Sequence, residues 1–327
     1  MKLSEIGELS LLKRIRERFT TSARDVVAGI GDDAAVVTPH DQPLLLTTDM
    51  MTEGVHFDLG FTTWFQVGFK LVSVNVSDIY AMGGIPRFLL LDLAMDKKTG
   101  EESLEYFFDG VESAMALYRV ELIGGDLSSS KRGVTVSATL AGYAKKPVMR
   151  SGARPGDKIY VTGNLGDSAC GLELLKIIRK PLSIETGEKS EKPLGWPVME
   201  PLIRRHLLPE ARKPGKAARI ATAMIDISDG LFIDLSRLCD ESGVGARVYK
   251  RHLPLSSHMK KAARLLGFDP YGFAASGGED YELLFTSPPR RKVDASCIGE
   301  ITESGRVFVD ENGREKPLSP EGYQHWH

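Results

Sequence analysis

Aspartate residues recur where this sequence predicts turns and strand ends. The recurring residues are Asp32, Asp33, Asp49, Asp126, Asp226 and Asp229. A further aspartate, Asp78, lies on a predicted helix three residues after Asn75, and therefore on the same helix face. Mg2+ is bound through one or two carboxylates together with substrate phosphates. The pattern therefore favours phosphate chemistry assisted by metal ions.

The glycine turn "AGIGDDAAVV" (residues 28–37) carries two of these aspartates. Gly29, Gly31 and Ala34 fit the spacing of a dinucleotide-binding loop, but a strand follows them where that loop requires a helix. Two carboxylates would also repel a pyrophosphate. A simple hairpin turn is the alternative for this segment, and a turn or a helix N-cap is the alternative for each aspartate alone. The recurrence along the chain favours bridging Mg2+.

The absence of certain sequence motifs excludes some classes of phosphoryl-transfer enzyme. The sequence has no G-x-x-x-x-G-K-[ST], H-R-D or D-F-G motif, which excludes the P-loop and protein-kinase schemes. A hydroxyl acceptor usually needs a residue that takes its proton. A phosphate acceptor is already anionic, so several metal ions without a dedicated base would suit it.

Composition excludes several classes of partner. The formal net charge of -2 and the absence of a Lys/Arg cluster exclude a nucleic-acid surface. No apolar run approaches the roughly 20 residues of a membrane span. The N-terminal segment repeats apolar residues at helical spacing, which predicts an amphipathic helix and no signal peptide. Three isolated cysteines indicate reduced thiols and a cytoplasmic location.

Strand-like and helical segments alternate along the 327 residues, which predicts an α/β (α+β) class with two domains. Strands are expected to end at Asp49, Asp126 and Asp226. Helices are expected over "WFQVGFKLVSVNVSDIYAMGG", "EESLEYFFDGVESAMALYRV", "DSACGLELLKII" and "LFIDLSRLCDES". The segment "KKPVMRSGARPGD" is rich in Pro, Gly and basic residues, so the domains are placed at residues 1–146 and 147–327.

Seven motifs in a fixed order resemble one known family. They are "GIGDDAAV", "TTDMMTEGVHF", "VNVSDIYAMGG", "LIGGD", "RSGARPGDKIYVTG", "DISDGL" and "SGGEDYEL". From about residue 28 to the C-terminus, the chain is similar to the thiamine-monophosphate kinases, within the aminoimidazole-ribonucleotide synthetase-like superfamily of ATP-binding enzymes. The resemblance implies direct, in-line phosphorylation of thiamine monophosphate to thiamine diphosphate by ATP, the final step of thiamine diphosphate biosynthesis, with several Mg2+ ions.

The resemblance also implies an architecture. The two-domain aminoimidazole-ribonucleotide synthetase-like fold has an N-terminal domain that binds ATP and Mg2+ and dimerises. Its sheet is completed across a homodimer, and a second α/β domain lies behind it.

Site residues are implied position by position. The metal ligands would be Asp33, Thr47, Thr48, Asp49, Asp78, Asp126, Asp226 and Asp229. The catalytic residues would be Asp49, Asp78, Asp126, Arg150 and Asp226. The ATP contacts would be Gly125, Asp126, Arg150 and Ser228, with Phe108 in the place of an adenine-contacting tyrosine of some members. The substrate contacts would be His56, Glu279 and Trp326.

Each position keeps an alternative. Arg150 could be a solvated linker charge, although a guanidinium suits phosphate geometry. His56 could be a partly buried histidine whose hydrogen bonds are made within the protein. Glu279 could serve only to stabilise its own turn. Thr47 and Thr48 are good strand formers in any case.

Alternative functions stay open at this point. One is another ATP-dependent ligase or cyclase of the superfamily, which activates an amide or carbonyl oxygen. Another is selenophosphate synthetase, which requires a reactive Cys or selenocysteine near the N-terminus. The first cysteine of this chain is Cys170. A non-catalytic sensor of thiamine phosphates or nucleotides is expected to have lost part of the carboxylate set.

Overall fold

The computed structural model describes residues 2–6, 8–21, 23–31, 34–289 and 293–325. Asp32, Asp33 and Trp326 lie outside the described residues. The chain forms two compact units, residues 1–79 with 84–145 and residues 80–83 with 146–327. The predicted boundary between residues 146 and 147, and the roles assigned to the two domains, stay predictions.

The first unit contains both helices and strands. Its helices are α1 (Leu3–Ile6), α2 (Glu8–Arg18), α3 (Trp64–Ala81) and α4 (Glu101–Tyr118). Its strands are β1 (Val26–Ala28), β2 (Val36–Val37), β3 (Leu44–Thr52), β4 (Ile85–Asp96), β5 (Glu121–Ser130) and β6 (Thr135–Tyr143). β1 and β2 pair antiparallel on either side of the glycine turn.

The longer strands of the first unit form one sheet, with the order β3-β6-β4-β5 in the described part of the chain. β6 is antiparallel to β3 and β4, and β5 runs parallel to β4. Because side chains alternate along a strand, one face of β6 is fully buried through Val136 and Leu140. Leu44, Leu46 and Met50 of β3 extend from the other face and are more than half exposed.

Helices α3 and α4 cross with their backbones in contact. A Cβ atom added at Gly68 of α3 would lie 2.1 Å from the Phe107 carbonyl oxygen, and one added at Gly110 of α4 would lie 1.9 Å from the Phe65 carbonyl oxygen. Only glycine permits so close an approach. Asp78 lies in the last turn of α3.

The second unit also contains both helices and strands. Its helices are α5 (Asp167–Ile178), α6 (Trp196–Leu207), α7 (Ala217–Ile220), α8 (Leu231–Ser242), α9 (Ser257–Leu266) and α10 (Pro270–Ser276), with 3-10 turns at Ile184–Thr186 and Lys250–His252. Its strands are β7 (Lys158–Val161), β8 (Ala223–Asp226), β9 (Gly245–Tyr249), β10 (Leu283–Ser287), β11 (Ser296–Thr302), β12 (Arg306–Val309) and β13 (Glu315–Pro317).

These strands form a sheet in the order β13-β12-β9-β11-β7-β10-β8, counting described residues only. Tyr160, Met224 and Phe285, on the adjacent strands β7, β8 and β10, pack in its core. Helices α5 and α6 approach closely at Gly171 of α5. A Cβ atom added there would lie 2.1 Å from the Leu202 carbonyl oxygen. The mixed class predicted from the sequence is confirmed in both units.

Two predicted strand ends are wrong. β3 continues through Asp49, because the next three residues keep their antiparallel pairing with β6. β5 continues through Asp126 by pairing with β4. Only β8 ends at its aspartate, Asp226, as predicted. Separately, no helix among the described residues is long and apolar enough to span a membrane.

Candidate functional site

Thr47 and Asp78 are in contact beside the buried face of the first sheet. The Thr47 hydroxyl on β3 donates a hydrogen bond to Oδ2 of Asp78 on α3. Asp49 lies two residues farther along β3, so its side chain is on the same face as Thr47. Asp49 and Asp78 are both half-buried. Hydroxyl and carboxylate oxygens on one side of β3 form a donor set of the kind that Mg2+ takes.

Thr48 lies on the opposite face of β3. Its hydroxyl donates to the Ala138 carbonyl at 3.0 Å and accepts from the Thr139 hydroxyl at 3.2 Å. The structure therefore separates the hydroxyl of Thr48 from that of Thr47, although the sequence-based prediction treats both threonines as ligands. A metal-binding role for Thr48 depends on its backbone carbonyl.

The backbone of Thr48 faces the outer edge of the sheet. The N–H of Glu53 donates to Val134, and the N–H of Ala144 donates to Pro43, so odd-numbered residues make the hydrogen-bonded pairs between β3 and β6. Even-numbered residues of β3 consequently direct their N–H and C=O groups away from β6. The Thr48 carbonyl is one of these edge groups.

Gly125 and Asp126 lie on β5, at the other edge of the sheet. Gly125 has φ +152°, and a Cβ atom there would lie 1.9 Å from the Leu91 carbonyl oxygen, so the position requires glycine. Asp126 is exposed and pairs in register with the exposed Asp92 of β4. Adjacent like charges on two strands destabilise a sheet unless a cation compensates them. The sequence alone does not single out Asp92, since only the strand register places it beside Asp126.

The structure does not bring Asp49 and Asp126 together within one chain. β6 and β4 lie between their strands. Three strand spacings amount to about 14 Å, at about 4.8 Å for each spacing. Mg2+ binds its ligands at about 2.1 Å, so one ion cannot be shared by these two carboxylates of the same subunit.

The loop "SDG" of the second unit is organised by a buried carboxylate. Oδ2 of Asp234, on the first turn of α8, accepts the N–H groups of Ser228 (3.1 Å), Asp229 (3.1 Å) and Gly230 (3.2 Å). A helix N-cap was the alternative role for Asp229, but the N-cap residue is Gly230 and the oxygen that accepts the N–H groups belongs to Asp234. An acidic residue shortly after the start of an apolar helix is the signal that could have revealed it.

Arg237 holds Asp229 and Asp234 together. Its Nη1 lies 2.6 Å from Oδ2 of Asp229 and 2.8 Å from Oδ1 of Asp234. Burial, with the nearby charge of Asp229, raises the pKa of Asp234 to about 6 although Arg237 lowers it. Asp226, at the end of β8 beside this loop, is 3% exposed. Asp229 is therefore positioned by a network that the sequence did not reveal.

The loop "SGGEDYEL" packs against the loop "SDG". The Glu279 N–H donates to the Ser228 carbonyl at 2.7 Å, and the Tyr281 N–H donates to the Ile227 carbonyl at 2.9 Å. A Cβ atom at Gly278 would lie 2.6 Å from the Ser228 oxygen, so glycine is needed there. The structure thus brings the predicted ATP contact Ser228 and the predicted substrate contact Glu279 into one cluster.

Two buried carboxylates anchor the same loop. Asp280 accepts the N–H groups of Gly166 (2.5 Å) and Ser168 (3.3 Å) at the start of α5, and burial raises its pKa to about 7. Glu282 is 1% exposed and is bonded by Arg205 and by Arg212 at 2.7 and 2.8 Å. Burial acts to raise the pKa of Glu282, but the Arg212 hydrogen bonds and both arginine charges outweigh it and hold that pKa below its usual value.

The C-terminal tail is anchored beside Asp229. The Tyr323 N–H donates to the Asp229 carbonyl at 3.0 Å. A Cβ atom at Gly322 would lie 2.7 Å from the same oxygen. Trp326, three residues beyond Tyr323, lies outside the described residues, as does the predicted metal ligand Asp33.

His56 is half-buried, whereas Arg150 is exposed. Nδ1 of the half-buried His56 accepts the Thr52 N–H at 3.0 Å, so in the neutral imidazole the proton lies on Nε2. Arg150 is exposed, and its carbonyl accepts the Ser242 hydroxyl at 3.0 Å. His56 can therefore donate a hydrogen bond through Nε2, and the Arg150 guanidinium is accessible to an anion.

Phe108, the predicted adenine contact, is buried in the first unit. Its side chain is 2% exposed and lies edge-on to Phe19 at a centroid distance of 5.4 Å, with the Arg18 guanidinium 5.6 Å from its ring. α2 covers the ring because α2 is amphipathic and packs on α4. Phe108 is a core residue, and stacking on adenine would require α2 to move.

The carboxylates fit Mg2+ only in combination with other ligands. Across the described residues, no group of three or more His, Cys, Asp or Glu side chains is close enough to hold a metal ion. Mg2+ keeps several waters and binds through one or two carboxylates plus substrate phosphates. The described residues fit a site of this kind, in which protein oxygens and substrate phosphates hold the ion together.

Comparison with known proteins covers nearly the whole chain. Two family models match, AIR synthase related protein, N-terminal domain, at residues 31–144, and its C-terminal domain at residues 154–312. The thiamine-monophosphate kinase of Aquifex aeolicus (strain VF5) is 38% identical over 100% of both chains. That of Salmonella typhimurium is 38% identical over 98% of both chains.

Solved structures agree with these relatives. The structure of AaThiL complexed with AMPPCP and TMP has a TM-score of 0.77 and 37% identity, covering 100% of this chain and 99% of that chain. Thiamine-monophosphate kinase from Stenotrophomonas maltophilia K279a has a TM-score of 0.80 and 32% identity, covering 94% and 96%. A hydrogenase maturation protein, HypE in complex with ATP, shares the fold at 18% identity and a TM-score of 0.71.

Proposed function

Because the chain belongs to the thiamine-monophosphate kinase family, we propose that it transfers a phosphoryl group from ATP to thiamine monophosphate and forms thiamine diphosphate. The observation that carries the proposal is full-length similarity to a protein whose solved structure holds both AMPPCP and TMP. The family and the two-domain class predicted from the sequence are confirmed.

The acceptor chemistry agrees with the residues of the site. The second pKa of a phosphate monoester is about 6, so the acceptor is largely dianionic at neutral pH. No residue then has to remove a proton from it, and the main barrier is the repulsion between two polyanions. Mg2+ ions would neutralise this charge when bound with the phosphates.

Several Mg2+ ions are part of the proposal. In the first unit, Thr47, Asp49 and Asp78 would hold them from one side of β3. In the second unit, Asp226 and Asp229 are the corresponding carboxylates. The hydrogen bond between Thr47 and Asp78, together with the oxygen-only character of the set, supports this assignment.

A homodimer is supported by the free edge and the exposed face of the first sheet. Within the described residues, β3 is an edge strand whose even-numbered residues direct their backbone groups outward. Leu46 is 68% exposed, Met50 59% and Ile85 69%. Unpaired edges and contiguous apolar surface are features that proteins cover with a partner. A second copy that continues the sheet would cover both.

The dimer would also complete the site. Asp49 and Asp126 lie on opposite edges of one sheet, about 14 Å apart by strand spacing. If both carboxylates bind the same Mg2+ ion, they must come from two different subunits. The sheet order therefore supports a site shared between the subunits of a homodimer.

Substrate recognition is proposed for His56, Glu279 and Trp326. Glu279 offers a carboxylate to the thiazolium cation of the substrate. Its half-buried position beside the "SDG" loop and the anchored tail supports this role. Arg150, exposed and cationic, is proposed to contact ATP phosphates.

One assay tests the proposed function. Purified protein with ATP and Mg2+ is incubated with thiamine monophosphate or with free thiamine, and the phosphorylated products are quantified. Thiamine monophosphate is expected to give thiamine diphosphate. Free thiamine is expected to give no thiamine monophosphate, because among the described residues none stands out as a base for a hydroxyl. Comparable turnover of free thiamine would contradict the argument from an ionised acceptor. Absence of thiamine diphosphate would reject the function.

A cytoplasmic location is proposed with this function. The three cysteines are free, and Cys170 and Cys239 are buried. The absence of a disulfide among the described residues agrees with a reducing compartment.

A further inference from the structure

Glu279 is in contact with a histidine that the sequence analysis did not select. His206 lies in the last turn of α6 and is 5% exposed. Its Nδ1 lies 3.1 Å from Oε2 of Glu279 and 3.1 Å from Oγ of Ser168. An ionised carboxylate can only accept a hydrogen bond, so the shared proton lies on Nδ1 of His206. Glu279 can still accept from other donors, since a carboxylate offers about four lone-pair sites.

The backbone of Glu279 is held in an uncommon conformation. Of the non-glycine residues that the structure describes, those with positive φ are Arg119, Arg179, Glu279 and Tyr281. Arg119 and Arg179 are helix C-caps, where the left-handed conformation is common. Glu279, with φ +65°, lies in a loop, and its N–H is fixed by the Ser228 carbonyl at 2.7 Å. Strained residues of this kind persist where the surroundings determine them, and they cluster at ligand sites.

The partners of His206 are themselves rigidly placed. Ser168 lies on α5 and is fully buried. α5 and α6 touch through the backbone at Gly171 and Leu202, so the separation of Ser168 from His206 is set by main-chain contact. The Ser168 N–H is in turn bonded to Asp280, the residue that follows Glu279. His206 therefore links the rigid pair α5–α6 to the loop that carries Glu279.

We propose that His206 is a positioning residue for substrate recognition. Its Nδ1–H holds the Glu279 carboxylate in the orientation that receives the cationic thiazolium ring. A carboxylate fixed before binding loses little side-chain freedom on binding, so the cation binds more tightly. The inference rests on the proposed function, which supplies a cationic phosphate ester as the substrate.

The test uses variants of the full chain. His206→Leu removes the donor at similar volume, and His206→Asn keeps an N–H near the position of Nδ1. His206→Leu is expected to raise KM for thiamine monophosphate on the order of ten-fold, the low end for losing a hydrogen bond to a charged group. KM for ATP should stay unchanged, and His206→Asn should recover most of the loss.

A double-mutant cycle separates positioning from general packing. If His206 acts through Glu279, adding His206→Leu to Glu279→Gln should raise KM no further. Leu207→Ala is the matched control, since Leu207 is 1% exposed on the same helix. It should lower the melting temperature without raising KM. A neutral thiazole phosphate ester, which lacks the quaternary nitrogen, should bind wild type and His206→Leu equally.

Three outcomes overturn the inference. One is an unchanged KM in His206→Leu, and another is additive effects of the His206 and Glu279 variants. The third is a KM increase of similar size in Leu207→Ala. Calorimetric titration of thiamine monophosphate in the presence of AMPPCP distinguishes these results from failure of the proposed function. Wild type that neither binds nor phosphorylates thiamine monophosphate rejects the function and the inference together, whereas tight binding by both wild type and His206→Leu rejects the inference alone.

Discussion

Mixing two inactive variants is expected to restore activity. Asp49→Asn and Asp126→Asn should each abolish phosphoryl transfer, because each removes a carboxylate proposed to bind the metal ions. The two residues lie on opposite edge strands of one sheet, about 14 Å apart by strand spacing. A shared site would take Asp49 from one subunit and Asp126 from the other. A mixed dimer then holds one site with both substitutions and one site with neither.

The size of the recovery follows from counting sites. Random reassortment makes half of the dimers mixed, and half of their sites are intact, so activity should return to about one quarter of the wild-type value. The variants carry different affinity tags and are co-expressed, and the doubly tagged dimer is isolated and assayed for thiamine diphosphate. That purified mixed dimer should show about half of the wild-type activity, by the same counting.

A matched pair of variants provides the control. Thr47 on β3 bonds to Asp78, so Asp49 and Asp78 belong to the same side of one subunit. Mixed dimers of Asp49→Asn with Asp78→Asn contain one substitution in every site and should stay inactive. If the Asp49→Asn and Asp126→Asn dimer forms but stays inactive as well, the shared site is refuted.

Four further predictions concern single substitutions. Trp326→Ala should raise KM for thiamine monophosphate several-fold with little change for ATP, since a stacked ring is worth about 0.5–1.5 kcal/mol beyond its buried area; unchanged steady-state kinetics would contradict stacking. Glu282→Gln should lower the free energy of unfolding by about 3–5 kcal/mol, because it leaves buried arginine charge without its partner. This stabilisation is present above the usual glutamate pKa and is lost as pH falls through the lowered pKa of the folded state, so urea melts of wild type and variant should converge in acid. Asp49→Asn should remove the rise in melting temperature that Mg2+ with AMPPCP produces. The metal-free variant should be as stable as the metal-free wild type. A rise as large as that of wild type would contradict metal binding at Asp49. Gly110→Ala should destabilise the protein by about 3 kcal/mol, the upper end for overpacking, because the added methyl group meets backbone that cannot rotate away; a wild-type melting curve would show that the helices separate freely.

Local patterns predicted the elements well, because the forces that form them act between near neighbours in sequence. α5 and α8 begin and end at the residues expected from their apolar spacing. The strand ends at Asp49 and Asp126 failed for the opposite reason. Each strand is prolonged by pairing with a distant strand, and a polar residue inside it does not stop that pairing.

The sequence predicted which residue types the candidate site contains, but it did not predict how they are arranged. The alternation of β3 separates the side chains of Thr47 and Thr48, which the motif lists together. The burial of Phe108 could not be predicted from the sequence, because it depends on Phe19, far away along the chain. His206 was missed because its contact with Glu279 spans more than 70 residues and has no local signal.

The glycine crossings of α3 with α4 and of α5 with α6 have a consequence for how such a sequence can diverge. Where two helices touch through main-chain atoms, their separation does not depend on the sizes of the surrounding side chains. Neighbouring core residues can then change volume over many generations while the interaxial distance at the crossing stays constant. At the crossing of α5 with α6, the constant distance lies one turn from His206 and so maintains its separation from Ser168.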